Sequence, residues 1–130
     1  MGIFSWLFSK QDPPLYIDGN GKYEFDIVGE SNYQKALHAI AGPRTEDGAR
    51  HKCQAVIIPE PLNKHDKNAV AVFIDRKKVG YLSRADAKSW NADLKAKGKS
   101  RSPVIASAII VGGWLRDSQD QGHYGVKLDI

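Results

Sequence analysis

The sequence predicts a mainly β protein, a small β-barrel or curled sheet with two flanking helices. Short apolar runs, YEFDIVG, HKCQAVIIP, AVAVFI, VIASAIIVGGW and HYGVKLDI, carry strand-forming residues, several of them alternating at period two. Turn residues and polar connections separate these runs, which favours antiparallel neighbours. Helical spacing shows only in QKALHAIAG and in the segment after Ser83. A chain of 130 residues holds one domain with a modest core.

The elements follow in order. Residues 1–21 read as an N-terminal apolar segment and a linker punctuated by Pro13, Pro14, Gly19 and Gly21, so the domain is placed at 22–130. In Tyr23–Gly29, Tyr23, Phe25 and Ile27 alternate with Glu24 and Asp26 as a first strand. Ser31 or Asn32 then caps a short helix with Ala36, Leu37, Ile40 and Tyr33 on its apolar stripe, closed by Gly42 and Pro43. In the second strand Cys53, Ala55 and Ile57 face one way, Val56 and Ile58 the other. Ala69–Ile74 and Lys78–Leu82 form a hairpin about Asp75–Lys77. Ser83, with Asp86 three residues later, caps a second helix with Ala87, Trp90 and Leu94 inward, and Gly98 ends it. A long strand from Val104 and a last one from His123 complete the chain, joined by RDSQDQG; Gly112-Gly113 reads as a bulge or strand end.

Hydrophobic residues at 42% and charged residues at 26% describe an ordinary globular protein, not collagen, coiled coil or a disordered chain. The single Cys53 excludes an intramolecular disulfide and a multi-cysteine zinc site. The missing secretory signal favours a cytoplasmic location. His38, His51, Cys53, His65, Asp66 and His123 are scattered, short of the three or four convergent ligands zinc needs, so no metal or other cofactor is expected. Neither a nucleophile elbow nor a P-loop nor G-x-G-x-x-G follows any strand. Cys53 reads as a core residue. No enzyme is expected.

MGIFSWLFSK is too short to span a bilayer, so membrane insertion is not expected. Trp6 stands where a myristoylation signal wants Ser or Thr. Ile3, Phe4, Trp6, Leu7 and Phe8 leave open an interfacial anchor, a docking segment for a protein partner, or a piece that packs on the domain.

Charge is uneven. Between Lys64 and Arg101 eleven Lys/Arg stand against four Asp/Glu, an excess of +7 in a chain of net charge +4, so the remainder sums to −3. Such asymmetry attracts phosphates, or else marks a solvated helix. Glu60 to Val70, EPLNKHDKNAV, is longer and more polar than a hairpin connection requires, as binding loops often are. Single-strand binding needs cations for the backbone and flat groups for the bases. Lys64, Lys67, Arg84 and the helix lysines supply the first; Tyr33, His65 and Tyr81 offer the second, though both tyrosines also suit a half-buried core site. Asp66 either closes an Asx turn with Asn68 or accepts a hydrogen bond from a terminal sugar hydroxyl.

DIVGESNYQ together with EPLNKHDKNAVAVFIDRKKVGYLSRADA resembles the HIRAN domain, with matching spacing over roughly Tyr23 to Ile130. The shared pattern is V-G-E-S-x-Y, then E-P-x-N-x-x-D-x-N-A-V, then V-G-Y-L leading into a helix. The resemblance implies an OB-like barrel, a role beside DNA-remodelling helicases or in free-standing bacterial or phage proteins, and binding of single-stranded DNA at its 3′ end. It implies a pocket from Ser31, Asn32, Tyr33, Asn63, His65, Asp66, Lys67, Tyr81 and Arg84. Asp66 falls where an aspartate engages the terminal 3′-hydroxyl, Asn63 on the loop asparagine, and Arg84 where a lysine contacts phosphate. Two departures stand out: His65 replaces a stacking tyrosine, with Tyr81 where the fork-remodelling form has histidine. Ser31 and Asn32 replace an arginine-tyrosine pair. General single-strand binding is therefore better supported than strict 3′-end specificity. The expected function is a nucleic-acid-binding module without catalysis, for single-stranded DNA or DNA ends, accessory to repair, replication or phage functions. The rivals are a protein-interaction module of the same fold and, weaker, a small hydrolase acting on nucleic acid ends through His65 and Asp66.

Overall fold

A computed structural model describes residues 13–130. In chain order it holds β1 (Leu15–Ile17), β2 (Phe25–Asp26), a 3-10 turn (Glu30–Asn32), α1 (Gln34–Ala41), β3 (Ala49–Pro59), β4 (Val70–Ile74) and β5 (Lys77–Tyr81). There follow α2 (Arg84–Ala96), β6 (Val104–Gly112), β7 (Leu115–Asp117), β8 (Asp120–Gln121) and β9 (Tyr124–Asp129). Among the described residues the protein is mainly β, with two helices beside a curled seven-stranded sheet and a separate two-stranded one.

The larger sheet runs β2-β9-β6-β3-β4-β5. β3 is long enough to pair with β6 over Ala49–Ile57 and with β4 over Val56–Pro59, so it bends from one half of the sheet into the other. The two end strands then meet. Val28, just past β2, donates to the Tyr81 carbonyl at 2.7 Å and accepts from the Tyr81 N–H at 2.9 Å, which draws the sheet into a small barrel-like form. Gly80 permits this approach: a Cβ there would lie 2.7 Å from the Val28 carbonyl oxygen. Inside lie Ile27, Leu37, Ala55, Ile57, Val70, Val72, Ile74, Val79, Ile110, Val126 and Leu128, among others. Outside, Val56 and Ile105 form a second, smaller cluster with Phe73, which explains why β3 is apolar on both faces from Ala55 to Ile58.

The hairpin β4–β5 turns on Asp75 and Arg76 alone, both at positive φ (50° and 66°), the two-residue geometry whose twist suits a β-ribbon. The Ser83 hydroxyl accepts from the Asp86 N–H at 3.1 Å and caps α2. At its other end Gly98 donates to Lys95 and Lys99 to Leu94, a Schellman closure with Gly98 at φ 67°.

Elsewhere the structure departs from the sequence reading. Leu15–Ile17, within the supposed linker, form β1 and pair in parallel with Val104–Ala106, taking the stretch of β6 edge that β9 leaves free. Asp129 then fastens the chain that follows, accepting from the Gly21 N–H at 3.0 Å and the Tyr23 N–H at 3.3 Å. The first strand is shorter than Tyr23–Gly29, since Tyr23 sits at φ 52°. Neither Ser31 nor Asn32 caps α1: both belong to the 3-10 turn, and Tyr33 holds the cap position without a side-chain bond. Instead the Gln34 amide accepts from the Tyr124 N–H (2.7 Å) and donates to its carbonyl (2.8 Å), standing in for a neighbouring strand. Glu30 likewise accepts from the Val126 N–H. RDSQDQG, read as a connection, forms its own small hairpin, β7–β8. The apolar segment at residues 1–10 lies outside the described residues.

Candidate functional site

The polar connection between β3 and β4 is built from its root outward. At the root Glu60 takes Lys78 Nζ at 2.6 Å on one oxygen, and Tyr81 Oη at 3.0 Å and Asn63 Nδ2 at 3.0 Å on the other; Lys78 Nζ and Tyr81 Oη lie 2.8 Å apart. Lys78 also sits over the Tyr81 ring, 4.9 Å from its centroid. Strict alternation would send Lys78 and Tyr81, three residues apart, to opposite faces. A β-bulge prevents this: Phe73 pairs with Lys78 and Val72 with Gly80, so Val79 is supernumerary and both polar side chains reach Glu60.

Burial by itself would raise the Glu60 pKa, but hydrogen bonds from Lys78, Asn63 and Tyr81 outweigh it and hold the carboxyl below its ordinary value. Burial opposes the Lys78 charge too, yet the Glu60 and Tyr81 bonds leave its pKa raised. Burial pushes the Tyr81 pKa up, and the Glu60 carboxylate adds to it against the pull of Lys78. The network is an ion pair with a neutral phenol at neutral pH.

Above this root the chain folds on itself. Asn63 Oδ1 accepts from the His65 N–H (2.9 Å) and the Asp66 N–H (3.1 Å). Asp66 Oδ1 accepts from the Asn68 N–H at 2.8 Å, an Asx turn, and Asn91 of α2 donates to the Asn68 carbonyl at 3.0 Å. Asn63 and Asp66 are half-buried, whereas Lys64, His65 and Lys67 are exposed and form no ion pair among the described residues. No side-chain bond orients the His65 imidazole among those residues.

The sequence-selected residues fall into three groups. Asn63, His65, Asp66 and Lys67 share this loop. Tyr81 stands at its root, its hydroxyl engaged, and exposed Arg84 opens α2 just beyond. Exposed Ser31 and Asn32 and half-buried Tyr33 lie on the far side of the Val28–Tyr81 seam, where Asn32, Tyr33, Lys35 and Lys77 line a shallow depression. No hydrogen bond among the described residues joins them to the loop.

Sequence reasoning missed Glu60, Lys78 and Asn91. The bulge that unites Lys78 with Tyr81 has no pattern of its own; the spacing of three within a strand was the available signal. Among the described residues no group of three or more His, Cys, Asp or Glu converges as a metal site. Burial, with a smaller effect from Asp75, pushes the Cys53 thiol up to about 11, far from a reactive thiolate. Among those residues no helix is long and apolar enough to cross a membrane. No family model, curated protein or solved structure matches the chain.

Proposed function

We propose that the protein is a HIRAN-like, OB-related module that binds single-stranded DNA or DNA ends without performing chemistry, as an accessory of repair, replication or phage functions. The observation that carries this reading is the loop's division of labour. Its amide and carboxylate groups hold the backbone in one shape, and that shape offers an imidazole and two ammonium groups to solvent with no partner among the described residues. Lys67 and Arg84 hold phosphates, and His65 stacks on a base, as Tyr33 does across the seam. Asp66 keeps one oxygen, Oδ2, outside the Asx turn, available to a terminal 3′-hydroxyl.

Fluorescence anisotropy with oligonucleotides ending in 3′-hydroxyl or 3′-phosphate tests this. Wild type should bind at low salt and prefer the hydroxyl end, because a carboxylate repels a terminal phosphate. Asp66→Asn keeps the turn and should erase that preference. His65→Ala should weaken binding by about 1 kcal/mol, the lower end for a stacking residue. If no oligonucleotide binds at low salt, the reading fails.

A protein-interaction role draws on a different surface. Tyr16, 70% exposed, flanks a groove lined by Leu15, Ile17, Trp90, Leu94 and Val104. Loss of pulldown partners on Tyr16→Ser, with DNA binding absent, would favour that reading.

A further inference from the structure

The hydrogen bond from Asn91 to the Asn68 carbonyl fixes which flank of α2 adjoins the loop. Steps of three and four residues along a helix keep one face. From Asn91 they lead back to Lys88 and Arg84 and forward to Lys95, so these three cations share the loop-side flank, all exposed. The acids of the helix lie elsewhere: Asp86 and Asp93, seven residues apart, fall on roughly the opposite flank. Lys97 lines the groove beside Tyr16, away from the loop.

This segregation is unfavourable for the helix alone. Arg84 and Lys88 are like charges at i,i+4, a destabilising arrangement, and opposite-charge pairs at the same spacing would have stabilised it. Arg84, Lys88 and Lys95 make no ion pair among the described residues. The row spans about 16 Å, and Lys67 directly precedes Asn68, the loop residue whose carbonyl Asn91 holds.

We infer that the loop-side flank of α2 is a track for the phosphate backbone of a single strand, formed by Arg84 and Lys88 on one side of the Asn91–Asn68 junction with the 60–68 loop and by Lys95 on the other. It rests on the nucleic-acid reading of the loop and adds its course: nucleotides beyond the one held at the loop lie along the helix, bound through phosphates and without base readout. A polyphosphate chain suits it better than an acidic peptide, since evenly repeated single charges match a row of long, flexible cations.

The experiment measures affinity of the full chain for labelled oligothymidines of about 4 and about 15 nucleotides against salt, for wild type, Lys88→Ala/Lys95→Ala and Lys97→Ala. The double variant should weaken the longer oligonucleotide about tenfold at low salt and flatten its log–log salt slope by about 1.4, at about 0.7 per lost phosphate contact. The short oligonucleotide should bind both proteins alike, and Lys97→Ala, which removes the same sign of charge off the track, should leave the slope unchanged. If the longer oligonucleotide binds wild type but the double variant keeps its affinity and slope, the track is overturned and the loop reading stands. An equal loss from Lys97→Ala also overturns it, since net charge would then explain the effect. If neither oligonucleotide binds wild type, the loop reading and the track fall together. Circular dichroism melts confirm that the exposed substitutions leave the fold intact.

Discussion

The root and the crown of the 60–68 loop are made of the same kinds of residue and are treated in opposite ways. At the root, Glu60, Lys78 and Tyr81 are half-buried and satisfy one another; the Glu60 and Lys78 side chains are 24% and 27% exposed. At the crown, Lys64, His65 and Lys67 lie a few residues away in solvent without a partner among the described residues. A polar group that leaves water needs a compensating bond, so the root is fully wired. A charge in water costs little, so the crown needs no compensating partner. Polarity in a loop thus has two separable meanings, and burial tells them apart.

Substitutions should rank in opposite orders for stability and for binding. Glu60→Ala strands a half-buried ammonium and should lose about 2 kcal/mol in urea unfolding. Asn63→Ala removes three loop bonds and should lose about 1 to 2 kcal/mol by the same measurement. Asp66→Ala forfeits only an Asx turn and should cost about 0.5 to 1 kcal/mol. His65→Ala and Lys67→Ala should stay within about 0.5 kcal/mol of wild type while causing the larger direct losses of oligonucleotide affinity. Equal stability costs at root and crown would break the comparison.

The pH dependence sharpens it. The native Glu60 pKa lies below its ordinary value of 4.5, so its stabilisation is present above that value and drains away as pH falls through the native pKa. The native Lys78 pKa is raised above 10.5, so its share is present below that pH and is lost as pH rises through the native value. Unfolding of wild type against Glu60→Gln should therefore differ most at neutral pH and converge toward both extremes. A difference that does not change with pH would show that the ion pair contributes nothing.

Much of the fold was legible because it follows from alternation and capping. The β3 faces, the β4–β5 hairpin, the Ser83 cap and the Gly98 stop each depend on neighbours close in sequence. What escaped depends on distant partners. Leu15–Ile17 carry a strand only because β6 has edge to spare, and the Gln34 amide bonds the β9 backbone only because Tyr124 stands opposite. At the candidate site, the turn-forming amides of the loop were legible from local chemistry. The Glu60 network was not, since one supernumerary residue, Val79, decides where Lys78 and Tyr81 point.

Tyr81 belongs to two structures at once. Its backbone closes the seam with Val28, while its hydroxyl anchors Glu60 at the base of the loop. Fraying of the seam and loosening of the loop are thereby thermodynamically linked, and any ligand that requires the ordered loop must also hold the seam shut. Slowed exchange of the Val28 and Tyr81 amide protons, which belong to the seam and not to the loop, would then serve as a gauge of occupancy at the crown.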